Sequence, residues 1–74
     1  MPRLSPISSR DLVKIVEILG FVKIRQTGSH ARFIHPDGRK ITIPIHTEET
    51  IHHGLLRKII RDLNMAPDEF IKLR

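Results

Sequence analysis

The chain contains no cysteine, no tryptophan and no tyrosine. Without thiols it can form neither a disulfide framework nor a thiolate zinc site. A small domain that manages without such staples fits a reducing cytoplasm. No apolar run approaches the roughly 18 residues that suggest a membrane span. Met1-Pro2-Arg3-Leu4-Ser5-Pro6 also lacks the apolar stretch of a signal peptide. The expectation is a soluble, unprocessed, cytoplasmic protein with no membrane partner. Phosphate loops, nucleophile elbows and paired carboxylates are missing too. Acidic residues are the minority: 13 Lys and Arg against 8 Asp and Glu leave a net charge of +5. That balance favours polyanions as partners, chiefly nucleic acid, with an acidic protein as the other class.

What is present fits one small domain over residues 1–74, with residues 1–7 as a loose lead-in holding two prolines and no periodicity. A chain of this size buries only about 60% of its unfolded surface, so its core must be efficient. Ser8, with Asp11 three residues later, has the form of a helix N-cap. Leu12, Ile15, Val16 and Leu19 then recur at helical spacing. Gly20 stands where that helix ends, so the first helix is predicted over 9–19.

Three short strands follow. Residues 21–26 alternate Val22 and Ile24 with Lys23 and Arg25, and Thr27-Gly28 makes a turn. Residues 29–35 alternate Ala31 and Phe33 with His30 and Arg32. Pro36-Asp37-Gly38 is a second turn. Residues 39–45 then alternate Ile41, Ile43 and Ile45 with Lys40, Thr42 and Pro44. Residues 46–53 read as a loop. A second helix opens at Gly54, with Leu55, Leu56, Ile59, Ile60 and Leu63 as its apolar face and Asn64 as its stop. Pro67-Asp68-Glu69 has the form of the first turn of a short last helix. Short hairpin links make neighbouring strands antiparallel. The predicted fold is therefore α+β, an α-β-β-β-α order with a three-stranded antiparallel sheet, both helices on one face, and a short C-terminal helix.

Strand parity then assigns the uncovered face. With Val22, Ile24, Ala31, Phe33, Ile41, Ile43 and Ile45 turned to the helices, that face displays Lys23, Arg25, His30, Arg32, Lys40 and Thr42. No Asp or Glu falls within the strands. An ordinary polar face mixes charge signs, because opposite charges stabilise across strands and like charges repel. The cationic bias points to an anionic partner. All three Phe are core candidates, so recognition rests on phosphate and ribose, not on stacked bases.

His30 follows the small residues Gly28 and Ser29 and has cations on both sides. Cleavage of RNA by its own ribose 2′-hydroxyl needs a base, an acid and a cation near the phosphorane. Imidazole, with an unperturbed pKa of about 6.5, suits the proton-transfer roles, and Arg or Lys suits the charge. His46 is the second candidate proton carrier. The remaining histidines do not assemble a metal site. His30 and His35 differ in parity, and His52 and His53 are adjacent, without the i, i+4 spacing of a helical ligand pair. No metal or other cofactor is expected, and His35, His52 and His53 read as surface or turn residues. Gly54 leaves backbone N–H groups free for an anion at the start of the second helix, with Arg57 and Lys58 one turn in. Three functions remain open on this reading: a ribonuclease, a non-catalytic RNA-binding module using the same face, or a docking surface for an acidic protein.

The chain resembles the HicA family of small toxins from toxin–antitoxin modules. The resemblance is carried by Leu19-Gly20-Phe21, Gly28-Ser29-His30, the Asp37-Gly38 turn, Ile43-Pro44-Ile45-His46, Gly54-Leu55-Leu56-Arg57-Lys58-Ile59-Ile60 and Glu69-Phe70, in that order. It implies a double-stranded-RNA-binding-domain-like fold. It also implies a ribosome-independent mRNA endoribonuclease, the toxin of a type II system, with His30 as its catalytic histidine. A HicB-type antitoxin protein is then the expected partner, with mRNA as substrate. One departure is Leu55, where the family usually carries a small polar residue.

Overall fold

Ser8 is extended, and its side-chain oxygen accepts the Asp11 N–H at 3.1 Å. That bond satisfies one of the orphan donors of the helix it precedes, α1 (Ser9–Ile18), as the capping pattern predicts. The structure is a computed structural model and describes residues 4–45 and 50–74. After α1 come β2 (Val22–Thr27), β3 (His30–Ile34) and β4 (Lys40–Pro44), which form an antiparallel sheet in the order β2-β3-β4. Helices α2 (His53–Asp62) and α3 (Pro67–Ile71) complete the predicted order. The α+β layout agrees with a double-stranded-RNA-binding-domain-like fold.

Two short strands stand outside the predicted scheme. β1 (Ile7–Ser8) pairs antiparallel with β5 (Thr50–Ile51), matching Ile7 to Ile51. Residues 4–7 are therefore no loose lead-in: Leu4 and Ile7 are buried in the core. Arg74 reaches back from the far end of the chain and donates to the carbonyls of Ser5 and Pro6 at 2.7 and 2.9 Å. The apolar side chains of residues 4 and 7 found partners a long way along the chain, which local periodicity does not register. The loop expected over 46–53 is likewise shortened by β5 and by α2, which starts at His53 rather than Gly54.

One core joins Leu12, Ile15 and Val16 of α1, Leu56, Ile59 and Ile60 of α2, Phe70 of α3, and Ala31, Phe33, Ile41 and Ile43 of the sheet. Both long helices pack on β4 and cover the same sheet face. β2 departs from expectation. Every residue of it is exposed, with Val22 at 60% and Ile24 at 54% of their full accessibility, so neither belongs to the core. The register explains this. Lys23 pairs with Phe33 and Arg25 with Arg32, so the pairing slips between them in a β-bulge that leaves Ile24 without a partner on β3.

Candidate nucleic-acid interface

Gly28, at φ +59°, lets the chain turn within two residues, so Thr27 and His30 stand directly opposite each other. The turn is held from two sides. Gln26 donates its amide to the Gly28 carbonyl at 3.2 Å, and the Ile45 N–H donates to the Ser29 carbonyl. His30 thus begins a strand from a braced hairpin and is itself exposed.

Residues paired across strands share a face, so the register resolves the uncovered face into three rows. The first holds Thr27, His30 and Pro44; the second Arg25, Arg32 and Thr42; the third Val22, Ile34 and Lys40. Of the cations assigned to this face, Arg25, Arg32 and Lys40 lie on it beside His30. Lys23 does not. Because of the bulge it pairs with Phe33 on the helix side, where its Nζ donates to Gln26 Oε1 at 3.1 Å. Strict alternation had put Lys23 and Arg25 together; the extra residue separates them. No acid lies in any of the three strands, so nothing on them neutralises the arginine row.

The other residues singled out lie apart from these rows. Gly28 and Ser29 form the turn. Gly54 lies in the first turn of α2, whose N-cap residue His52 makes no side-chain capping bond. Arg57 is exposed in the same helix, and Lys58 is held by Asp62 at 3.4 Å. His46 falls outside the described residues. Among those residues, no group of three or more His, Cys, Asp or Glu is placed to hold a metal ion.

A second polar cluster was not legible from the sequence. His35 is half-buried, and its Nε2 lies 3.1 Å from the Leu19 carbonyl, so that nitrogen donates. Its Nδ1 accepts the Asp37 N–H at 3.1 Å, and its ring meets Phe21 edge-on at 5.1 Å. Arg39 donates to Asp37 at 2.8 Å and to the Leu63 carbonyl at 2.6 Å, with its guanidinium 5.2 Å from the Phe21 ring centre. The Arg39 N–H, which donates to Asp37 Oδ1, is the main reason that the Asp37 carboxyl is held below the ordinary carboxylate range, and the guanidinium adds to it. The cluster ties the β3–β4 turn to the ends of both long helices. It is scaffold for the sheet, not part of the row that carries His30. Only the tertiary fold brings Leu19, Phe21 and Leu63 to it.

Residues 9–65 match the family described as the HicA toxin of bacterial toxin–antitoxin systems. The chain belongs to the HicA family. No curated protein matches it. The HicA match starts with the first residue of α1, runs through the whole sheet and ends just past α2. It therefore contains all three rows of the uncovered face. As a HicA member the chain is the toxin of a toxin–antitoxin system, and a cognate antitoxin is its partner. No helix of the described residues is long and apolar enough to cross a membrane.

Proposed function

We propose that this HicA chain is a metal-independent, ribosome-independent endoribonuclease of the cytoplasm that cuts mRNA as the toxin of a type II system. His30 is its catalytic histidine. The observation that supports this most directly is the position of His30 one row from Arg25 and Arg32, on an uncovered, acid-free sheet face. Neutral His30 takes the proton of a ribose 2′-hydroxyl, and the 2′-oxygen attacks the adjacent phosphorus. The bond to the 5′-oxygen breaks, leaving a 2′,3′-cyclic phosphate and, once protonated, a 5′-hydroxyl. Arg25 and Arg32, one row away, hold the RNA backbone, and their positive potential offsets the charge that builds on the phosphorane. His46 is the second candidate to return the proton. Lys40, Gly28 and Ser29 contact the backbone of the same RNA, and Gly54, Arg57 and Lys58 offer further phosphate contacts on α2. A HicB-type antitoxin blocks this face.

Purified His30→Ala is expected to lose cleavage by about 10²–10⁴-fold, the usual contribution of a general acid–base group. Wild-type cleavage is expected to survive EDTA. Cleavage by His30→Ala at the wild-type rate sinks the histidine assignment, and loss of activity on chelation sinks the metal-independent one.

A second reading is favoured by one observation. The row neighbours of His30 are Thr27 and Pro44, neither of which is an acid–base group at neutral pH. On that reading the face binds RNA without cutting it. Salt-dependent binding that leaves the RNA intact would support it, since phosphate contacts release counterions.

A further inference from the structure

The bulge in β2 serves no packing purpose, since Ile24 is unpaired on β3 and more than half exposed. Its effect is on Lys23, which it carries to the helix side. Arg25 is placed by the tight hairpin: with Thr27 opposite His30 and Gln26 opposite Ala31, regular pairing puts it directly across from Arg32. Directly opposed side chains have their Cβ atoms about 5 Å apart, and like charges so placed destabilise a sheet. The third member of the row is Thr42, which brings no negative charge. Two cations are thus held together by the register of the hairpin, one row from His30. An anion held between them relieves the repulsion, and a phosphodiester carries the single negative charge that two guanidinium forks can share.

Successive rows on one face lie two residues apart along the strand, about 7 Å. Consecutive phosphates of an extended single strand repeat at a similar distance. With the scissile phosphate at His30, the neighbouring one falls at the arginine row, and the next falls at the row of Lys40. Duplex readers of the double-stranded-RNA-binding kind span about 16 base pairs, a longer track than a strand of five residues offers. We infer that Arg25 and Arg32 together form a phosphate subsite, distinct from the scissile position. It holds the linkage adjacent to the cut in a single-stranded RNA extended along β3. This rests on the ribonuclease reading above.

A 2′-O-methyl oligonucleotide with a single ribose at a mapped cut position leaves one cleavable linkage. The linkage immediately 5′ of it, or immediately 3′ of it, is then made neutral as a methylphosphonate. One of these two replacements should slow the wild-type enzyme about tenfold, the scale of a charge-assisted hydrogen bond. In the Arg25→Gln/Arg32→Gln double variant the same replacement should change the rate less than twofold, because both partners are already gone. Multiplicative effects of replacement and substitution at both linkages overturn the inference. If wild type leaves the parent oligonucleotide uncut, the ribonuclease reading fails instead. The same pairing of neutral linkage and arginine change, read by binding affinity, then decides the subsite.

Discussion

Gly20 follows α1 at φ +102°, and a Cβ built there would stand 3.0 Å from His35 Nε2. Both facts require glycine, one through backbone strain and the other through lost space beside a ring that is held by two hydrogen bonds. Gly20→Ala is expected to lower stability by about 1–3 kcal/mol in urea unfolding. An unchanged midpoint would mean that the end of α1 and the His35 ring shift freely. The glycine itself was legible, because a helical stripe ending in Leu-Gly announces a left-handed stop. The ring pressed against it was not. His35 is 16 positions from Leu19, and its local sequence is that of any turn-flanking histidine. His30 differs in this respect, since its neighbours Gly28 and Ser29 are adjacent in the chain and marked the hairpin.

At the scale of elements, the β3–β4 turn gives a pH prediction. The folded state holds the Asp37 carboxyl below its ordinary range, first through the Arg39 N–H and then through the Arg39 side chain. A carboxyl with a depressed folded pKa stabilises fully above its unfolded value, and that contribution is lost as pH falls through the folded value. Asp37→Asn should therefore melt below wild type at neutral pH. The gap should narrow as the pH drops below the ordinary carboxylate range. A gap that stays constant down to strongly acid pH would show that the charge of Asp37 does not brace the turn. Apart from β1 and β5, the elements were read correctly in order and type, and their ends moved by one or two residues. β2 was the exception in its faces: its alternation of apolar and basic residues is regular in the sequence, and a bulge is a property of pairing. Only when β3 is laid beside it does Ile24 become the extra residue.

At the scale of the whole molecule, the two ends of the chain are tied together. Leu4 is buried in the main core, and Arg74 bonds to the backbone of Ser5 and Pro6. Leu4→Ala is expected to cost about 2–5 kcal/mol, a large share of the 5–15 kcal/mol that holds a typical domain together. Thermal unfolding of Leu4→Ala at the wild-type midpoint would restore the picture of a loose N-terminal segment. By itself the sequence determined the helix stripes, the turns, the α+β order and the basic, acid-free character of one sheet face. These follow from periodicity and turn chemistry, which act between residues close along the chain. Tertiary structure decided what depends on contacts between distant residues. It set the burial of Leu4 and Ile7, the pairing of β1 with β5, the exposure of β2, the passage of Lys23 to the helix side and the pairing of Arg25 with Arg32. Register is a relation between two strands, so no pattern within either strand contains it.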